Sequence, residues 1–176
     1  MLNLYNSYTK QQEEVNLNQE DVRIYLCGPT VQSSPHLGHG RSAVVFDFFI
    51  RYLKFLNYSV LYVRNITDID DKIIQKSQEK NINYRELAES VWDEFVQAHE
   101  NLNCLVPDIE PRATAYVPEI VQYIDQLINN GYGYITKSGV YYDVSKFDDY
   151  LKLSGRSTEE VKTGTRIETE EDKKSP

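Results

Sequence analysis

Between Ile24 and Leu53 the chain reads IYLCGPTVQSSPHLGHGRSAVVFDFFIRYL. An apolar, β-rich run breaks at Cys27-Gly28-Pro29, crosses a short polar loop, and enters an amphipathic segment through two of the chain's three histidines, His36 and His39. Val22 to Leu26 fits a buried strand, and the glycine-proline pair stops it. From about Gly38 to Leu56 the apolar residues Val44, Val45, Phe48, Phe49, Leu53 and Leu56 recur at helical spacing, with Arg41, Asp47, Arg51 and Lys54 mostly on other faces. Asn57 closes that helix, and SVLYVRNI, Ser59 to Ile66, is a second β-rich run. A strand, helix and strand over residues 22–66 have the length of a βαβ crossover. The expected fold class is therefore α/β, a parallel sheet with helices on its faces.

The place of the two histidines gives them a chemical meaning. A helix N-terminus presents unpaired amide hydrogens and the positive end of the helix dipole, so the phosphates of a nucleotide are natural ligands there. Two imidazole donors add to that field where charge develops during attack on phosphorus. Gly38, between them, removes a side chain and lets a flat group such as a purine come close to the backbone. Taken alone, His-Leu-Gly-His favours a packed or surface pair over an ATP site. Its position after a strand and before an amphipathic helix is what turns the reading toward a nucleotide.

Outward from this unit, residues 1–21 read as a polar lead-in. TDIDDKIIQKSQEK opens another helix, with Thr67 and Asp70, or Asp68 and Asp71, as a capping box. Three close aspartates suggest a metal cage, but carboxylates crowd helix N-termini because they cap amides and suit the dipole, and that reading is preferred. Tyr84 to Leu105 is amphipathic, with Leu87, Val91, Phe95, Ala98 and Leu102 on one face and His99 as a surface or structural residue. VPDIEPRATAYVP breaks the helical pattern, a short helix ends at Gly131, and YGYITKSGVYYDV reads as a hairpin whose tyrosines pack across strands. From Ser145 onward the sequence is polar and charged, without core-forming periodicity.

Composition bounds the function classes. With 40% hydrophobic residues among 176, one ordinary domain with an insertion has enough material for a core. No run has the length of a membrane span and the N-terminus lacks a signal pattern, so a cytoplasmic location with no membrane partner is expected. Cys27 and Cys104 form no CxxC pair, which argues against a disulfide framework or a self-contained zinc knuckle. A net charge of −8 argues that any nucleic acid is gripped mainly elsewhere. Only about two core strands of a parallel sheet are visible, which reads as the front of something longer.

CGPTVQSSPHLGHGRSAVVFD, followed by NITDIDDKI, resembles the catalytic domain of class I aminoacyl-tRNA synthetases, and within them the cysteinyl-tRNA synthetase family. YDVSKFDDYLKLSGRS resembles that family's segment after its connective insertion, and the similarity runs from about Leu4 to Ser175. The resemblance implies the first half of a Rossmann-like nucleotide-binding domain over residues 1–110, a connective insertion over 111–150, and a polar tail, 151–176, leading to a second half not present here. It implies Cys27 as a zinc ligand in the amino-acid pocket, where a metal binds a thiolate and rejects the hydroxyl of serine. Without the resemblance, Cys27 reads as a small residue at a strand end. Gly28 and Thr67 are implied to line the cysteine pocket. Thr30, His36, Gly38 and His39 are implied to bind ATP, with the two histidines catalytic. For Thr67 the helix-cap reading stays open.

The implied chemistry joins the carboxylate of cysteine to the α-phosphate of ATP, releasing pyrophosphate, and then passes the cysteinyl group to a ribose hydroxyl of cysteine tRNA. The implied partners are ATP, cysteine, cysteine tRNA and Zn²⁺, acting on a monomer. The family's other zinc ligands, a cysteine, a histidine and a glutamate, fall beyond the sequence at hand, as do its lysine-rich loop and tRNA-reading domains. Cys104 and His99 do not match the ligand positions, and the isolated chain is expected to be inactive. A related ligase that joins cysteine to an amino sugar, and a non-catalytic fragment with a binding role, remain alternatives.

Overall fold

The elements run β1 (Leu2–Asn6), β2 (Gln11–Val15), β3 (Asp21–Leu26), α1 (Leu37–Phe55), β4 (Ser59–Arg64), α2 (Asp71–Glu79), α3 (Tyr84–Asn101), α4 (Val117–Asn129), β5 (Gly133–Ile135) and β6 (Val140–Tyr142). They are taken from a computed structural model that describes residues 2–15, 17 and 21–157. The last part of the expected polar tail, 158–176, lies outside the described residues. Two compact units emerge, Leu17–Val117 and Met1–Asn16 with Pro118–Pro176.

In the first unit β3 and β4 pair in parallel, from Asp21 opposite Ser59 to Leu26 opposite Arg64, with α1 as the crossover between them. The expected α/β unit with parallel strands is present. Its strand is not buried on both faces, however. Val22, Ile24 and Leu26 are half-buried while Asp21, Arg23 and Tyr25 are exposed, so β3 alternates as a one-sided strand does. Helix α1 follows the expected stripe only in part, at Leu53. It buries Ala43, Ile50 and Leu53, whereas Val44, Val45 and Phe48 are exposed. AVVFDFFI is apolar nearly all round, so its spacing announces a helix without saying which side meets β4 and α3.

A buried cluster lies beyond the ends of the two strands. Val31 and Ile66 from the strand-to-helix loops pack with Ile73 of α2 and with Leu87, Ala88, Val91, Trp92 and Phe95 of α3. Helix α3 ends at Asn101, short of the expected Leu105, with Asn103 in the left-handed region at φ +53°, and Leu102 is exposed. Asp70, not Thr67 or Asp68, caps α2, its Oδ1 accepting from Lys72 N–H at 2.9 Å. Asp68 turns inward and accepts from Thr114 N–H at 2.9 Å and Thr114 Oγ1–H at 2.5 Å. The polypeptide after α3 runs alongside β4: Arg64 and Ile66 N–H donate to the carbonyls of Ile109 and Pro111 at 3.1 and 2.8 Å, and Ala113 N–H returns a bond to Ile66 at 3.0 Å. These bonds hold 109–114 in the first unit, which runs to Val117.

In the second unit β1 and β2 form an antiparallel hairpin, closed by Lys10 N–H to Asn6 C=O at 2.8 Å. The sequence had offered only a polar lead-in there. Helix α4 ends before Gly131, whose φ of +78° suits the stop signal. In the β5–β6 hairpin Tyr134 lies opposite Tyr141 with ring centroids 5.8 Å apart, and the Tyr132 and Tyr142 rings stack at 6.1 Å, so the tyrosines do pack across strands. No helix among the described residues is long and apolar enough to cross a membrane.

Candidate functional site

Where β3 ends, the chain is pinned to the segment that follows β4. Gly28 N–H donates to Asn65 Oδ1 at 2.7 Å, and Asn65 Nδ2 donates to Thr67 Oγ1 at 3.3 Å. Thr67 N–H reaches Pro29 C=O at 3.1 Å, Val31 N–H reaches Thr67 C=O at 3.2 Å, and Thr30 and Thr67 form a parallel bridge. A Cβ on Gly28 would lie 1.5 Å from the Asn65 carbonyl oxygen, so only glycine lets the two loops approach this closely. Thr67 therefore works as a strap between the loops. The exposed Cys27 thiol sits at the end of β3, next to this strap.

His36 and His39 open α1 by capping each other. His36 Nδ1 accepts from Gly38 N–H at 3.1 Å, and His39 Nδ1 accepts from His36 N–H at 3.2 Å, with the two rings stacked at 3.9 Å. A ring nitrogen that accepts carries no hydrogen, so both imidazoles hold their proton on Nε2 and have that N–H left to give. Burial, and after it the neighbouring His36 and His99, push the pKa of His39 below its ordinary value, so this ring is a neutral donor at neutral pH. The space beside Gly38 is taken by His36 itself: a Cβ there would meet the ring at 3.0 and 3.1 Å. The glycine thus lets the cap form, before any purine is considered.

These parts face a cleft of about 270 Å³ lined by Cys27, Gly28, Thr30, His36 and His39 on one side of the sequence and by Arg64, Phe95 and His99 from elsewhere. The structure gathers five of the expected site residues around one opening. Gly38 and Thr67 are not among its lining residues and lie one in the cap and one in the strap.

The description tRNA synthetases class I (C) catalytic domain fits residues 13–176. The chain belongs to that family. Cysteine–tRNA ligases from Methanococcus maripaludis, Maridesulfovibrio salexigens and Pyrococcus horikoshii are each 46% identical to it, over 99–100% of this chain and 36–37% of their own length. The chain thus spans little more than a third of the curated relatives it matches.

Membership of the family raises the question of zinc. Among the described residues no group of three or more His, Cys, Asp or Glu side chains could hold a metal ion. Cys27 is a single soft donor, and a stable zinc centre takes three or four. The described residues therefore do not fit a zinc ion by themselves.

Sequence reasoning missed Arg64 and undervalued His99. Arg64 is a buried charge whose Nε and Nη2 donate to Glu110 Oε1 at 3.1 and 2.5 Å, whose Nη1 donates to His99 Nε2 at 3.0 Å, and whose guanidinium lies 5.9 Å from the Trp92 ring centroid. An arginine in a run otherwise made for burial, SVLYVR, was the available signal.

Proposed function

We propose that the protein carrying this chain is a cysteine tRNA ligase, a cytoplasmic enzyme of which residues 17–117 supply the first half of a Rossmann-like ATP site and part of the amino-acid pocket. The observation that carries the reading is the reciprocal His36–His39 cap at the mouth of a cleft that also holds Cys27. The two Nε2–H groups, at the positive end of α1, offer hydrogen bonds to phosphate oxygens, where negative charge grows as the cysteine carboxylate attacks the α-phosphorus and pyrophosphate departs. The Gly28–Asn65–Thr67 strap fixes the wall on which the amino acid is held, so that carboxylate and phosphate meet in one orientation. A ribose hydroxyl of cysteine tRNA then takes the cysteinyl group from the adenylate. Zinc at Cys27 would need donors beyond the described residues, and no step is routed through it.

Cysteine-dependent exchange of pyrophosphate into ATP by the full-length protein, followed by charging of cysteine tRNA, tests the assignment. Absence of exchange would overturn it, and exchange without charging would move the acceptor to a small molecule. His39→Ala removes one phosphate donor and one cap acceptor together. ATP affinity is expected to fall about tenfold, the value of one hydrogen bond to a charged group. An unchanged affinity in titration calorimetry would remove His39 from the ATP site.

A further inference from the structure

We propose that His99 is a positioning residue of the cleft, holding Arg64 against the Gly28 wall through a lone pair that only its neutral ring possesses. Arginine can only donate, so the 3.0 Å contact between Arg64 Nη1 and His99 Nε2 requires a bare Nε2. The ring proton then sits on Nδ1 and donates to Phe95 C=O at 2.6 Å, one helical turn back. His99 thus carries the tautomer opposite to that of His36 and His39.

The consequence reaches both walls of the cleft. On one side, Arg64 packs its stem where a Cβ on Gly28 would come within 3.3 Å of Cγ, directly behind the wall that carries Cys27. On the other, the Phe95 ring, beside which His99 stacks at 6.2 Å, meets His39 edge-on at 4.9 Å. The charged and titratable groups facing His99 are Arg64 on β4, Glu110 beyond α3, and His39 on α1. Glu110 Oε1 is already shared by two nitrogens of Arg64. Protonating His99 at Nε2 removes the acceptor and sets an imidazolium against a guanidinium. Nη1 loses its partner, and Arg64 is freed to move toward Glu110 and away from the Gly28 wall. Burial and the adjacent Arg64 both hold the pKa of His99 below its ordinary value, which keeps the ring neutral near neutral pH.

The role rests on the cysteine-activation reading for its kinetic readout but not for its spectroscopic one. In the full-length protein with ¹⁵N-labelled histidine, the signals lost in His99→Gln belong to His99. They are expected to show a protonated Nδ1 and a bare Nε2, with the ring resisting protonation below pH 6.5, the ordinary histidine value. An Nε2–H tautomer, or titration at the ordinary value, would overturn the proposal whatever the enzyme catalyses. In pyrophosphate exchange, His99→Leu is expected to lower kcat/KM roughly tenfold across the pH range, as displacement of positioned groups does. His99→Gln, which offers an amide oxygen to Arg64 and does not titrate, is expected to carry the acid limb of the profile to lower pH. A glutamine variant with the parent profile would overturn the role even if the leucine variant fails to fold. Failure of exchange in the parent protein would instead count against the assigned activity.

Discussion

Gly28→Ala is expected to abolish cysteine-dependent pyrophosphate exchange and to cut the soluble yield of the full-length protein sharply. The added Cβ would lie 1.5 Å from Asn65 O and 2.7 Å from Asn65 C, and both are backbone atoms that no rotamer change can move aside. Relief requires the loop after β3 to part from the segment after β4. That separation breaks Gly28 N–H to Asn65 Oδ1, Thr67 N–H to Pro29 C=O and Val31 N–H to Thr67 C=O, and it opens the core at Val31 and Ile66. Lost bonds of about 1 kcal/mol each, with buried amides left unpaired, put the total above the few kcal/mol that most single substitutions cost. Gly40→Ala is the control. Its Cβ would meet only Leu102 Cδ1, at 3.3 Å, the end of an exposed flexible side chain, and alanine favours the helix by about 1 kcal/mol over glycine. A thermal melt close to the parent's is expected for Gly40→Ala. Parent-like melting and exchange for Gly28→Ala would overturn the account of the strap.

The β3–α1–β4 unit was legible because its signals are local: an apolar run stopped by glycine and proline, a helical period, and a second apolar run. The cleft was legible for the same reason, since Cys27, Thr30, His36 and His39 all lie at the junction between the first strand and its helix. What local pattern cannot report is which side of an element meets which neighbour. The apolar residues of α1 surround the helix, so their period picked out Leu53 but did not select Ala43 and Ile50 over Val44 and Phe48. The β1–β2 hairpin pairs LNLYN with QQEEV, a strand without a hydrophobic alternation, through backbone bonds and the Asn6 Nδ2 to Glu13 Oε2 bond at 2.8 Å, a contact that appears only once the strands are paired. Arg64 and His99 are separated by 35 positions and acquire a shared role only when β4 and α3 are packed together. Gly28 reads in the sequence as a strand stop, yet its closest constraint is a carbonyl 37 positions away.

Asp68→Ala is expected to destabilise the full-length protein by about 3 kcal/mol, measured as a fall in the denaturant midpoint at unchanged slope. The carboxylate is buried and holds two donors of Thr114, the amide and the hydroxyl. Deleting it removes both charge-assisted bonds to the exposed Thr114 and releases the chain that runs beside β4 through Ile109 and Arg112. Asp68→Asn is expected to fall between parent and alanine variant, because the amide oxygen accepts one donor while its NH₂ faces the other. The neighbouring aspartates set the scale. Asp70→Ala removes the cap of α2 and should cost about 1 kcal/mol, and Asp71→Ala, exposed in the first turn, within about 0.5 kcal/mol. A metal cage would show a different pattern, with loss of any of the three carboxylates weakening the same ion. Equal losses at 68, 70 and 71, or a midpoint for each that shifts with added divalent cation, would overturn the structural assignment. The steep ranking expected here follows from one carboxylate facing inward, one capping a helix and one facing water.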